Sequence, residues 1–158
     1  MIKVFIVYDS KYGNTKKVAE EIAEGLKEAE GIETAISYVK DVNFEKVADA
    51  DAIIVGAPNH MGNPSMTIKK FMDKLAKQNL KAKNIAFFDT YFAKKKNFEK
   101  AVKKMEKRMS EKRPDLKLLE PGLSIMVLDV TGPIADGELP KCRDFGRRIA
   151  SQLKAQLA

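Results

Sequence analysis

The chain has 158 residues, 44% of them hydrophobic and 32% charged, which is typical of one globular domain over 1–158 rather than a disordered or fibrous protein. A single cysteine, Cys142, and a single histidine, His60, exclude an intrachain disulfide, a multi-cysteine metal or iron–sulfur site and a histidine cluster. One segment carries the net charge of +7, because ten basic and three acidic residues lie between Lys94 and Arg113.

Strand-like and helix-like patterns alternate from the start of the chain. Residues 2–8 are rich in β-branched and aromatic side chains, which predicts a strand. Residues 15–30 place apolar side chains on one face of a helix, and Gly31 is its stop signal. The next predicted elements are a strand at 32–39, a short helix at 43–48 and a buried strand at 52–57.

The second half continues the alternation. Ser65 is the predicted N-cap of a helix whose apolar face carries Ile68, Phe71, Met72 and Leu75. The remaining predicted elements are a strand at 85–88, a helix at 97–112, a fifth strand at 116–119 and 123–128 with an interruption at 120–122, and a last helix with Cys142 on its apolar side.

This alternation predicts an α/β fold, in which a five-stranded parallel sheet lies between two layers of helices as a three-layer αβα sandwich. The apolar run at 2–8 is too short to span a membrane, and no basic leader with a small-residue cleavage site accompanies it. We therefore expect a cytoplasmic protein with no membrane partner, and a single cysteine agrees with a reducing compartment.

Ligands of open parallel sheets bind beyond the carboxyl ends of the strands, where the strand order reverses. Three predicted loops lie at that edge of the sheet, because each follows a strand: they are at 9–14, 58–64 and 89–96. The first leads into a helix between the hydroxyl side chains of Ser10 and Thr15, and N–H groups at a helix N-terminus suit a phosphate. The same residues also fit an ordinary N-cap turn.

Other nucleotide motifs are missing from the chain. It has neither G-x-x-x-x-G-K-[ST] nor G-x-G-x-x-G, which excludes a P-loop nucleotide hydrolase and a dinucleotide fingerprint. A receiver domain would need an acceptor aspartate at the end of the third strand, where this chain has Gly56-Ala57-Pro58.

Residues 8–15, Tyr-Asp-Ser-Lys-Tyr-Gly-Asn-Thr, resemble the FMN-phosphate loop of the flavodoxin family, whose pattern is [ST]-x-[ST]-G-x-T. Ser10, Gly13 and Thr15 match the pattern, and Tyr12 replaces its middle hydroxyl residue. The resemblance covers essentially the whole chain, without the fifth-strand insertion of long-chain members. It implies the strand order 2-1-3-4-5, one bound FMN and low-potential electron transfer. The cofactor-binding residues it implies in this loop are Ser10, Lys11, Tyr12, Gly13, Asn14 and Thr15.

In the second loop, Met61-Gly62-Asn63 resembles the Met-Gly-Asp of short-chain flavodoxins. That resemblance implies that Met61 packs on the flavin and that the Gly62 peptide turns over when the flavin is reduced. Asn63 departs from the acidic residue of the family, and the alternative is a plain turn after a strand. The implied cofactor-binding residues here are Pro58, Asn59, His60, Met61, Gly62 and Asn63.

A second family competes for the same residues. Residues 56–63 also resemble the G-x-P-x-x-F-G-N loop of FMN-dependent NAD(P)H:quinone reductases, which share the Ser-x-Tyr-Gly form of the phosphate loop. Their longer fourth-strand loop with paired glycines is missing here. The alternative function is therefore an FMN-dependent NAD(P)H:quinone or flavin oxidoreductase.

The third loop contributes Asp89, Thr90, Tyr91 and Phe92 to the predicted cofactor site. The flavodoxin resemblance implies that Tyr91, with Phe92 as the alternate, covers the outer face of the flavin; both also fit a core position. Protonation of His60 would tune the reduced flavin, or the ring is simply solvated. Cys142 is expected to be a buried structural thiol. We assign no residue as a general acid, base or nucleophile.

The basic segment admits three interpretations. It is a solvated lysine-rich helix, a docking surface for an acidic redox partner near Lys94–Arg113, or a surface for nucleic acid or an anionic membrane. Aromatic side chains interleaved with the basic ones would favour nucleic acid. None is evident, because Phe98 and the methionines fall on the core side of the predicted helix. We therefore predict redox partner proteins rather than nucleic acid.

Overall fold

The computed structural model describes residues 1–92 and 100–157. The basic residues Lys94, Lys95 and Lys96, the aromatic Phe98 and the predicted helix start at 97 lie outside the described residues.

Within residues 1–92 and 100–157, seven strands and five α-helices follow the alternation that the sequence predicts. Their periodicity decides their type, since buried runs of β-branched residues form the strands and apolar stripes of period 3.6 form the helices. The strands are β1 (Ile2–Tyr8), β2 (Ile32–Tyr38), β3 (Ala52–His60), β4 (Asn63–Pro64), β5 (Asn84–Phe92), β6 (Lys117–Leu118) and β7 (Leu123–Val127). The helices are α1 (Asn14–Lys27), α2 (Phe44–Ala48), α3 (Met66–Ala76), α4 (Ala101–Lys112) and α5 (Leu139–Leu157).

The main strands form a parallel sheet of order β2-β1-β3-β5-β6. β7 also pairs with β5, nearer the carboxyl end of β5 than β6 does. The short β4 pairs antiparallel with β3. Because β6 and β7 lie along the same side of β5, they are the two parts of the interrupted fifth strand. The predicted order 2-1-3-4-5 and the α/β fold class are therefore confirmed.

Two apolar cores lie on the two faces of the sheet. One contains α1 and α5, including Ile22 and Phe145, and the other contains α2, α3 and α4, including Val47, Phe71 and Met105. This arrangement is the predicted three-layer sandwich. Within the described parts of the chain, no helix has both the length and the apolar character needed to cross a membrane.

Two central strands are longer than the sequence predicts. β3 continues past Ala57 to His60, and β5 runs from Asn84 to Phe92 rather than from 85 to 88. The predicted loop at 89–96 is therefore wrong at its start, since Asp89–Phe92 lie in β5. Pro58 is tolerated in β3 because β1 ends opposite Gly56, so the missing N–H removes no bond to that neighbour.

Candidate functional site

A cavity of about 520 Å³ opens at the carboxyl ends of β1, β3, β5 and β7. Its position is the one expected for a ligand site in a doubly wound sheet, on either side of the strand-order reversal. The described residues that line it are Ser10, Lys11, Tyr12, Asn14, Thr15, Pro58, Asn59, His60, Met61, Thr90, Tyr91, Phe92, Lys100, Val127 and Val130.

The loop after β1 forms the polar end of the cavity. Gly13 has φ +93°, a left-handed conformation that glycine adopts without strain, and its N–H donates to Ser10 Oγ at 3.0 Å. Gly13 is also the N-cap of α1 and, as a glycine, has no side chain with which to cap that helix end. The uncapped end therefore offers backbone N–H groups and a positive partial charge to an anion.

A buried contact joins this loop to β5. The hydroxyl oxygens of Thr15 and Thr90 lie 2.9 Å apart, and both side chains are buried. Each hydroxyl has a second hydrogen-bonding capacity, because it is both a donor and an acceptor. The pair therefore fixes the first turn of α1 against β5 at the cavity wall.

The loop after β3 is a tight hairpin rather than an open loop. Asn59 and His60 pair with Pro64 and Asn63, which leaves Met61 and Gly62 as the two turn residues. Both have positive φ, +54° and +86°, as a two-residue hairpin of type I′ requires. The Gly62 N–H donates to Asn59 Oδ1 at 2.6 Å, and Lys104 Nζ on α4 donates to Asn63 Oδ1 at 3.0 Å.

The remaining walls of the cavity are largely apolar. Pro58, Tyr91 and Phe92 are half-buried at the ends of β3 and β5, whereas Met61 extends into solvent at the rim. His60 lines the cavity with an exposed side chain. Flat apolar walls next to a polar, anion-accepting end suit a ligand with an aromatic ring and a phosphate.

Four of the predicted residues do not line the cavity. Gly13, Gly62 and Asn63 form the backbone of the two loops behind it. Asp89 lies in β5 with its side chain wholly buried, and its Oδ2 accepts the N–H of Val102 at 3.1 Å at the start of α4. Burial raises the pKa of the Asp89 carboxyl to about 6. The structure therefore places Asp89 as an anchor for α4 rather than as a cavity wall.

Three lining residues were missed by the sequence reasoning, namely Lys100, Val127 and Val130. Val130 belongs to the segment after β7, which turns back on that strand through Leu128 N–H donating to Pro133 O at 2.9 Å. Gly132 in this segment lies against the Asn14 side chain, since a Cβ there would be 2.6 Å from Asn14 Oδ1. Glycine followed by proline at 132–133 is typical of a turn, but only the tertiary contact shows that this turn borders the cavity.

Cys142 is buried in α5, as predicted, and burial raises the pKa of its thiol to about 12. A thiol with so high a pKa is unreactive at neutral pH. Among residues 1–92 and 100–157, no three His, Cys, Asp or Glu side chains come close enough together to hold a metal ion.

The fold and the site define a doubly wound α/β protein with a cavity and a helix N-terminus at the switch point of its sheet. The family model described as a flavodoxin domain matches residues 5–130 of the chain. The chain belongs to the flavodoxin family.

Known relatives agree with this assignment. The chain is 44% identical over 73 residues to a flavodoxin of Aquifex aeolicus, and 35% identical over 89 residues to a flavodoxin of Clostridium saccharobutylicum. These matches cover 46% and 56% of this chain and 40% and 56% of the relatives, so the chain matches about half the length of each. A flavodoxin from the domain Archaea has a similar structure, with a TM-score of 0.82, 28% identity and coverage of 97% of this chain and 99% of that one.

Proposed function

We propose that the chain binds one FMN in the cavity and carries electrons at low potential between redox partner proteins in the cytoplasm. The observation that supports this most is the uncapped N-terminus of α1, which faces a cavity whose other walls are mainly apolar. The cavity's size also suits a ligand with one large ring system and a phosphate.

The residues divide into two groups by the part of FMN that they would hold. Ser10, Asn14 and Thr15 would bind the phosphate, together with N–H groups of the first turn of α1. Met61 and Tyr91, with Phe92 as the alternate to Tyr91, would lie against the flavin ring. FMN itself supplies the ability to accept one or two electrons, and the protein binds, orients and shields it.

The turn at Met61-Gly62 is the proposed point of contact with the reactive edge of the flavin. A non-glycine residue at φ +54° is strained, and strained turns are retained where the surrounding structure holds them. Asn59 and Lys104 hold this turn from two sides, through Gly62 and Asn63. Glycine at φ +86° lets the adjacent peptide reorient at low energetic cost.

An absorbance titration tests the proposal. The purified protein is mixed with FMN, freed of the excess, and then reduced stepwise without oxygen. We expect retained FMN and, during reduction, the absorbance band of a one-electron-reduced flavin. Failure to retain FMN would contradict the proposed site. Direct passage to the two-electron state, with NAD(P)H-dependent quinone reduction, would favour the oxidoreductase alternative.

Two variants at Thr15 test the role of its hydroxyl in FMN binding, and the melting temperature of each variant without FMN shows whether loss of the contact with Thr90 weakens the fold instead. Thr15→Val keeps the shape of the side chain but removes its hydroxyl, so it should weaken FMN binding by about tenfold, the equivalent of one hydrogen bond. Thr15→Ser keeps the hydroxyl and should bind FMN nearly as well as the unaltered protein. Equal affinity in both variants would show that the hydroxyl does not contact FMN.

A further inference from the structure

One face of α4 carries a row of basic residues that begins at the cavity. Lys100, Lys103, Lys104 and Lys107 follow a spacing of three, one and three residues, which places them along one side of the helix. Lys100, Lys103 and Lys107 are exposed, and Lys104 is half-buried. We call these four residues the basic stripe.

The basic stripe is not neutralised by the rest of the described chain. Within residues 1–92 and 100–157, none of its four side chains forms an ion pair with a carboxylate, and Lys104 binds the neutral amide of Asn63. The other half of α4 differs, since Arg108 binds Asp73 through two nitrogens at 2.8 and 2.7 Å and Lys112 binds it at 3.2 Å. Within α4, the basic side chains without a carboxylate partner among the described residues therefore lie towards its N-terminal end.

Basic residues of α5 are paired with carboxylates, in contrast to the basic stripe. Arg143 pairs with Glu21 at 2.7 Å, Arg147 with Glu28 at 2.9 Å and Lys141 with Glu138 at 2.6 Å. Ion pairing does not by itself distinguish the basic stripe, because Lys69, Lys70 and Lys74 of α3 also have no carboxylate partner among the described residues. What distinguishes the basic stripe is its position.

The N-terminal half of α4 lies at the mouth of the cavity. Helices in this fold run antiparallel to the strands, so α4 begins at the carboxyl edge of the sheet, and Lys100 lines the cavity itself. Lys11 lines the cavity from the loop after β1, and none of the described lining residues is acidic. The lysines among the described lining residues therefore have no acidic counterpart in that lining.

The rim between these charges is apolar and exposed. Met61 is 65% exposed, Val130 53% and Tyr12 48%, although all three line the cavity. An apolar centre with a charged border is the usual composition of a protein–protein interface. Nucleic acid is less suitable, because α4 (Ala101–Lys112) carries no aromatic side chain beside its lysines on which bases could stack.

We propose that the basic stripe and the apolar rim form the docking surface for an electron-transfer protein with an acidic face, which covers the mouth of the cavity. This proposal rests on the proposed function and names the partner's chemistry. Opposite charges on the two surfaces would speed encounter and orient the partner over the cavity, and salt would weaken that effect.

Stopped-flow electron transfer tests the proposal. The probe is an acidic [2Fe–2S] ferredoxin, reduced and mixed with the oxidised FMN-loaded protein at low and high salt. We expect the second-order rate constant to fall by about tenfold or more between about 0.02 and 0.5 M salt. Lys103→Glu/Lys107→Glu should lower the low-salt rate by about tenfold and remove most of the salt dependence.

A matched double variant controls for net charge. Lys77 follows α3 and Lys83 precedes β5, so both exposed lysines lie at the edge of the sheet opposite the cavity. Lys77→Glu/Lys83→Glu changes the charge by the same amount and should keep both the rate and its salt dependence. Equal losses in the two double variants, or no loss in either, would overturn the docking surface.

Two further outcomes separate this proposal from the proposed function. FMN content is measured first, and because Lys103 and Lys107 do not line the cavity, both double variants should retain FMN as the unaltered protein does. Loss of FMN in every protein would contradict the proposed function instead. Tight binding of a single-stranded oligonucleotide that depends on Lys103 and Lys107, without an effect on electron transfer, would replace the partner by a nucleic acid.

Discussion

Asp89 is a wholly buried carboxyl whose pKa is set by two opposing effects. Its Oδ2 accepts the Val102 N–H, and hydrogen bonding from Ala101, Val102 and Ser124, the residue opposite Asp89 across the β5–β7 pair, lowers the pKa. Burial raises the pKa by more. Since a buried carboxylate is poorly solvated, its ionised form is disfavoured in the folded state.

The stability of the protein should therefore depend on pH through Asp89. Its pKa is about 6 in the folded state against 3.8 ordinarily, so the folded state binds the proton more tightly. This contribution to stability is complete below about pH 4 and is lost as the pH rises through 6, by roughly 2–3 kcal/mol. Asp89→Asn removes the charge and should be more stable than the unaltered protein at pH 8, with a difference that shrinks towards pH 5 in urea unfolding.

Asp115 provides a control, because its pKa is shifted in the opposite direction from that of Asp89. The Arg113 guanidinium, 2.9 Å away, lowers the pKa of the Asp115 carboxyl to about 2. Asp115→Asn should therefore lose stability at neutral pH rather than gain it. A difference between Asp89→Asn and the unaltered protein that stayed constant from pH 5 to 8 would show that ionisation of Asp89 is not its cause.

At the scale of elements, α1 and α5 pack with their backbones unusually close. A Cβ on Gly25 would lie 2.1 Å from the carbonyl oxygen of Arg143, and one on Gly146 would lie 2.2 Å from that of Ile22. Two glycines, one on each helix, therefore allow this approach. The two helices make up one entire layer of the sandwich, so their separation affects the core beneath β1 and β3.

Gly146→Ala should separate the two helices. Alanine would favour an exposed helix by about 1 kcal/mol, but here its methyl group meets a backbone atom that cannot move alone, so we expect a net loss of about 1–3 kcal/mol. The urea midpoint measures the change. Ser151→Ala, at an exposed position of the same helix, should leave stability unchanged or slightly raised. Similar midpoints for Gly146→Ala and the unaltered protein would show that the helices are not held at this distance.

At the scale of the whole molecule, ligand binding and folding are linked. The proposed FMN site draws residues from the loop after β1, from β3, β5, β7 and α1, and from the segment after β7, which come together only in the folded chain. A ligand that binds only the folded state stabilises it in proportion to the logarithm of its concentration over Kd.

FMN should therefore raise the melting temperature. At about 100 times Kd the added stability is about 2.7 kcal/mol, which corresponds to a rise of roughly 5–10 °C for a chain of this size. Riboflavin lacks the phosphate and should give a smaller rise at the same concentration, because it leaves the N-terminus of α1 without a ligand. Equal rises with FMN and riboflavin in a calorimetric scan would contradict the phosphate-binding role of the loop after β1.

The sequence by itself determined the alternation of strands and helices, the two-faced sheet and the loop at residues 10–15. These features are local, because hydrophobic period, turn residues and helix start signals are written within short stretches of chain. β1 has the predicted bounds, Ser65 caps α3 as predicted, and Gly13 has the positive φ that its loop requires.

Tertiary structure alone decided which of these residues meet. Asp89 reads as a loop residue in the sequence, yet pairing with β3 and β7 extends β5 through it and buries its side chain. The compensation of charge depends on contacts between distant residues, such as Arg143 with Glu21 and Arg108 with Asp73. Burial and ion pairing depend on which segments pack together, and that is a property of the folded chain rather than of any one stretch of it.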